Sequence, residues 1–317
     1  MRGAHGSMPK AASITLLAAL AACVPAASEA NGAEEEAAAP LSVSKAPPPT
    51  PTPAPLPPPE PVRADFVLTG QAEQGGAMTG LAPSGTERLL FNGQPVEVAK
   101  DGRFLIAFDR DAAAEALLVA ELANGKRVER TLAVTPGQWR IEHVNAPYRG
   151  SASSSAEFQR RRPAELAQIG EARARKVESD GWRQSFIWPV KGRFSGFFGS
   201  QRVYQGKPGS YHSGTDIAVP AGTPFAAPAD GVVVLAADQP FTLEGKLLIV
   251  DHGMGLNSAF LHCQSLDVKV GDRVVQGQRL GTVGATGRAT GPHMHWGMKW
   301  GAARLDPGKL VGAMASP

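Results

Sequence analysis

Cysteine is nearly absent: 317 residues contain two, Cys23 and Cys263. Cys23 falls inside an N-terminal targeting segment, so Cys263 alone is left for the mature domains and an internal disulfide framework is excluded. No apolar run reaches the ~20 residues that cross a bilayer as a helix. Aromatic residues make up 6% of the chain and the formal net charge is +3. The only dense basic run, Arg160-Arg161-Arg162, has no aromatics interleaved with it. That excludes a nucleic-acid footprint and reads as a solvated helix start. Histidine is also scarce, with seven in all, yet five of them lie in the C-terminal third, and four of these are gathered with a carboxylate in short motifs.

The first thirty residues form a targeting segment. Lys10 supplies a positive start and Ala11 to Ala22 is apolar apart from Ser13 and Thr15. Leu20-Ala-Ala-Cys23 resembles the lipobox of bacterial lipoproteins, whose cysteine is acylated. The resemblance implies an exported, periplasmic protein that meets the membrane only through a lipid anchor at Cys23. An ordinary secretory signal cleaved near Ala27 is the alternative. Residues 31–63 then change composition, running through Ala46-Pro-Pro-Pro-Thr-Pro-Thr-Pro-Ala-Pro-Leu-Pro-Pro-Pro59. Such a stretch cannot bury a core and is expected as a disordered, polyproline-like spacer of ~3 Å per residue.

Residues 64–150 are expected to form a small immunoglobulin-like β-sandwich. Asn92-Gly93, Asp101-Gly102 and Asn124-Gly125 are hairpin signals, and Phe104, Ile106 and Phe108 share one face at period two. Residues 151–184 read as a charged linking helix, with Pro163 at its first position, Glu165 in its first turn and Gly181 as its stop. From 185 to 312, short β-rich runs such as Gly231-Val-Val-Val-Leu235 and Lys246-Leu-Leu-Ile-Val250 are punctuated by glycine. This is the texture of an antiparallel sheet domain, so the chain as a whole is mainly β.

That last domain holds the chemistry. His212-Ser-Gly-Thr-Asp216 is an HxxxD, His293-Met-His295 an HxH, and His262 follows Phe260-Leu261. Gly214, Pro220 and Gly222 argue against a helix at the HxxxD, so a loop entering a strand is expected there. An HxH on a strand points both imidazoles to one face. Imidazoles and a carboxylate suit Zn2+, and three protein ligands are the number found at catalytic zinc sites. HExxH is absent, so no glutamate base is available and imidazole has to move the proton, as its pKa near 6.5 allows. Cys263 adjoins His262 but alternates to the other side of a strand, which makes it a buried structural residue. Trp296 and Trp300 are expected in the core or the wall of the cleft.

These motifs sit in Gly-Pro frames that resemble the lysostaphin-type (LytM-like) zinc metallopeptidases, which cut peptidoglycan. The matching segments are Gly196-Phe-Phe-Gly199, His212 to Pro224, Ala227-Pro-Ala-Asp-Gly-Val232, Leu261-His262, Val270-Gly-Asp-Arg-Val274 and Gly284 to His295. They run in the family's order between Phe186 and Pro307. One departure is local: the family reads Tyr-Ala-His-Leu where this chain has Ala259-Phe-Leu-His-Cys263. The resemblance implies that His212, Asp216 and His295 bind zinc and that His262 and His293 are the catalytic imidazoles. His252 matches a turn histidine of the family and reads as structural. The resemblance further implies that the substrate is the stem peptide of peptidoglycan, at the D-alanine–meso-diaminopimelate cross-link of a Gram-negative wall. Its non-catalytic branch, regulators that activate a cell-wall amidase, is the alternative. Those regulators usually lose metal ligands, and this chain retains all three. Nothing in the sequence identifies a protein partner.

Overall fold

The computed structural model describes residues 62–147 and 155–314. The targeting segment, Cys23 and nearly all of the proline-rich stretch lie outside them. Among the described residues no helix is long and apolar enough to cross a membrane.

Turn chemistry organises the first unit. Asn92 and Gly93 both take positive φ, +49° and +77°, as a two-residue hairpin of this twist requires, and they join Thr86–Phe91 to Gln94–Val96. Gly125, at φ +78°, turns Glu115–Leu122 into Arg127–Ala133. These strands make a four-stranded sheet. It faces a three-stranded sheet of Val67–Thr69, Ala77–Leu81 and Arg103–Ala107. Phe104, Ile106 and Phe108 fill the space between the sheets with Leu89, Phe91 and Leu118. The same strand is also buried on its other face. Leu105 and Ala107 turn outward from the sandwich into the core of the second unit, which is why Phe-Leu-Ile-Ala-Phe is apolar without interruption. Ile141–Val144 then pairs in parallel with Gln201–Tyr204, so strand pairing crosses the boundary expected near residue 150.

A helix follows at Ala156–Ala174. The Ser155 hydroxyl accepts from Phe158 N at 3.1 Å and caps it. This cap starts the helix well before Pro163, which lies inside it rather than at its first position. It ends at Ala174, short of Gly181, which instead opens the 3-10 turn Gly181–Arg183. Ile169 and Ala172 pack on Ala237, Leu247, Ile249 and Ala259. Glu165 is not in the first turn; its carboxylate accepts from Thr242 N at 2.8 Å and Thr242 Oγ1 at 2.6 Å. The basic run is not simply solvated either, because Arg162 makes a bidentate pair with Glu244 at 2.6 and 2.8 Å.

The second unit is built on one long antiparallel sheet. Its strands run in the order Arg273–Val274, Gly231–Phe241, Gly245–Asp251, Leu256–Cys263, Met294–Trp300, Thr215–Ala218, Arg193–Gly196. Ala303–Leu305 pairs with Met294–Trp300 beside this path. Alternation gives the sheet two unlike faces. Met294, Trp296 and Met298 point into a core with Phe225, Leu248 and Phe260. His295 and Lys299 alternate to the other face, across from Asp216 and Arg304. Trp296 is fully buried and stacks on Phe260, and Trp300 packs edge-on against Phe91. Both tryptophans therefore belong to the core face rather than to the wall of the histidine cleft.

Candidate metal centre

The HxxxD spans the entry to a strand: His212 sits on the incoming loop and Asp216 on Thr215–Ala218. Asp216 is the direct register partner of His295, so the two side chains rise from the same face at neighbouring positions. The resulting donors are close. His212 Nε2 lies 3.2 Å from Asp216 Oδ1 and 3.2 Å from His295 Nδ1, and His295 Nδ1 lies 2.8 Å from Asp216 Oδ1. The edge of a tetrahedron with Zn–N and Zn–O bonds of ~2.0–2.1 Å is ~3.3 Å, so this donor set fits a zinc ion.

Charge and space agree with that fit. Burial alone would raise the Asp216 carboxyl, but hydrogen bonds with His212 and His295 outweigh it and hold the group far below the usual carboxylate range. Burial lowers His212, yet Asp216 overrides it and the net shift is upward. The cluster thus draws positive charge. Two glycines leave room for it. A Cβ on Gly196 would stand 2.3 Å from Asp216 Oδ2, and one on Gly214 would stand 2.6 Å from His295 Nε2.

Backbone carbonyls set the tautomers of three imidazoles. His212 Nδ1 faces Phe197 O at 3.1 Å, His262 Nδ1 faces Thr286 O at 2.8 Å, and His293 Nδ1 faces Gly291 O at 2.8 Å. In each neutral ring Nδ1–H donates, which leaves Nε2 as a lone pair. His293 Nε2 lies 3.7 Å from Asp216 Oδ1, and the His262 and His293 rings are 4.9 Å apart. All five sequence-predicted residues therefore meet at one place.

His262 arrives there by a route the sequence does not reveal. Leu261 is the register partner of His295 and points to the site face, so regular alternation would send His262 into the core. Its φ of +62° breaks the alternation, at a cost of about 1–2 kcal/mol for a residue with a Cβ. His262 N donates to Glu244 O at 2.8 Å, which helps hold the bend. Burial depresses the His262 imidazole to about 4. Cys263 is fully buried in the core, and burial pushes its thiol up to about 12. His252 lies away from the cluster, bonded through Nδ1 to Asp230 O at 2.7 Å and through Nε2 to Ser258 Oγ at 2.9 Å.

Residues 210–307 match Peptidase family M23. The crystal structure of a putative peptidase M23 from Pseudomonas aeruginosa superposes with a TM-score of 0.56 at 32% identity, covering 80% of this chain and 96% of that one. The chain belongs to peptidase family M23. The chain is 40% identical over 112 residues to the peptidoglycan DD-endopeptidase ShyA of Vibrio cholerae, covering 34% of this chain and 26% of ShyA. It is 36% identical over 126 residues to the cell division protein DipM of Caulobacter vibrioides, covering 40% of this chain and 20% of DipM. The match thus spans between a fifth and about a quarter of the length of these two M23 relatives.

Proposed function

We propose that this M23 protein is a zinc-dependent endopeptidase that hydrolyses peptide cross-links of bacterial peptidoglycan, with the bond between D-alanine and meso-diaminopimelate as its target. One observation carries the reading: a His, Asp, His donor set at zinc-ligand spacing, flanked by two more imidazoles, His293 with Nε2 3.7 Å from Asp216 Oδ1 and His262 with its ring 4.9 Å from that of His293. His212, Asp216 and His295 hold the metal. Zinc bound there supplies a water acidic enough to act near neutral pH and polarises a peptide carbonyl. His262 and His293 do the work that the missing glutamate does elsewhere. One takes the attacking water's proton at Nε2, and that proton later passes to the leaving amine. The other, in its imidazolium form with N–H at both ring nitrogens, donates from Nε2 to the oxyanion that develops on the carbonyl. Their Nδ1–H bonds to Thr286 O and Gly291 O keep both rings oriented for this. Relatives named as peptidoglycan DD-endopeptidases support the substrate class, and the targeting segment supports export to the periplasm with anchoring at Cys23.

The test is metal analysis of the full chain, paired with chromatography of cross-linked dimeric muropeptides after incubation. The expected result is one zinc per chain and conversion of dimer to monomer. His212→Ala should lose the metal. His293→Ala should keep it and lose about 10²–10⁴-fold in turnover. Zinc-loaded protein that cuts no cross-linked muropeptide would refute the enzyme reading in favour of an amidase regulator.

A further inference from the structure

Register places two cations side by side on the histidine face. Lys299 pairs directly with Arg304 across the strands Met294–Trp300 and Ala303–Leu305. Directly opposed residues on antiparallel strands share a face with Cβ atoms ~5 Å apart, where like charges repel. Lys299 also follows His295 along one strand whose register is unbroken. It therefore projects to the same side as the metal centre, roughly 13 Å away at ~3.4 Å per residue.

The linking helix brings a third cation to this place. Its Ala172 belongs to the same apolar cluster as Ala259, which lies two positions along the strand from Asn257, the register partner of Lys299. Arg173 comes next on that helix, and its Nε is buried with no hydrogen-bond partner. Asn257 Oδ1 is likewise buried and unpartnered. The Arg304 guanidinium meets an aromatic phenol rather than a carboxylate, with Nη1 donating to Tyr211 Oη at 3.3 Å and the ring centre 5.4 Å away. The nearby carboxylate is Asp109, whose Oδ2 accepts from the backbone N of Arg304 at 2.8 Å. Burial, then Arg173 and Arg304, hold the Lys299 ammonium below its ordinary range. Three cations thus lie within electrostatic reach of one another, with Asp109 near Lys299 and Glu244, already paired with Arg162, near Arg173.

We propose that Arg173, Lys299 and Arg304 form an anion subsite that receives a free carboxylate of the substrate peptide, a few residues from the bond that is cut. A carboxylate there would accept charge-assisted hydrogen bonds from the ammonium and the two guanidinium forks, and it would relieve their mutual repulsion. The proposal takes its substrate from the peptidase reading. It makes the free carboxylates of the stem peptide, and not only the scissile bond, determinants of recognition.

The experiment uses the zinc-loaded full chain. Calorimetry measures binding of a disaccharide-tetrapeptide, and of the same molecule with its carboxylates capped as primary amides. Cleavage of cross-linked dimers is followed in parallel. The wild type should bind the free acid about tenfold more tightly than the amide. Lys299→Gln and Arg304→Gln should each lose that preference and leave amide binding unchanged. Lys299→Gln should not melt lower than wild type, because it removes a like-charge contact; Arg304→Gln also gives up its Tyr211 contact and should melt slightly lower. Equal binding of acid and amide by the wild type, no binding of either, or an undiminished preference in both variants would overturn the subsite. Dimer cleavage without acid preference refutes the subsite alone. A Lys299-dependent acid preference without cleavage refutes the peptidase reading alone.

Discussion

Gly196 offers the sharpest test of how the metal centre is built. It is the register partner of Asp216, and the carboxylate leans over it. A methyl group there would stand 2.3 Å from Asp216 Oδ2 and 2.8 Å from its Cγ, whereas real Cβ contacts essentially never fall below 3.0 Å. In Gly196→Ala the carboxylate must retreat by at least about 0.7 Å, against a tolerance of ~0.2 Å in metal–ligand distances. We expect zinc affinity to fall about 100-fold, as when a ligand loses its support. The overpacking itself should cost about 1–3 kcal/mol. Competition with a chelator of known affinity reads the first quantity and denaturant melts of the metal-free chain the second. Gly170→Ala is the control: it lies mid-helix with nothing within 4 Å of the new Cβ. It should bind zinc like wild type and gain about 0.8 kcal/mol. Unchanged zinc affinity in Gly196→Ala would show that Asp216 does not need the space this glycine leaves.

Other outcomes follow from burial. His252 is fully buried and its imidazole is pushed down to about 4 by burial, while in the unfolded chain it titrates near 6.5. Between those values the unfolded state binds the extra proton, so this contribution is complete above pH ~6.5 and is lost as pH falls toward 4, by up to about 3 kcal/mol. Asp251, raised to about 6 chiefly by burial, acts with the opposite sign. Its contribution is present below its unfolded value near 3.9 and is lost as pH rises through 6. His252→Gln should therefore flatten the acid limb in melts between pH 4 and 7, and an unaltered limb would contradict the assignment. Leu105→Ala should cost about 2–4 kcal/mol and shift a single unfolding transition, because Leu105 sits in the core shared with the M23 unit; two separable transitions in calorimetry would refute that coupling. In a Cys23→Ser chain, Cys263 should resist a thiol reagent at pH 8 and react with one equivalent after denaturation; fast native labelling would argue against its burial.

The mainly β fold, the hairpins at Asn92-Gly93 and Asn124-Gly125, and the five residues of the site were all legible in the sequence. Each rests on a local rule: a turn that needs positive φ, alternation at period two, or ligand types at short spacing. The helix limits were not legible, because Pro163 and Gly181 carry strong local signals that Ser155 and the packing of Ile169 and Ala172 override. Nor was the second burial of Leu105 and Ala107, since an unbroken apolar run looks the same whether one core or two receive it. Sequence alone thus marked the five side chains that we propose hold zinc or move a proton. Tertiary structure alone decided that His262 would face them, through a left-handed residue at a strand end. It alone also brought Arg173 of the helix toward Lys299 and Arg304, because pairing register and helix docking join residues far apart in the chain.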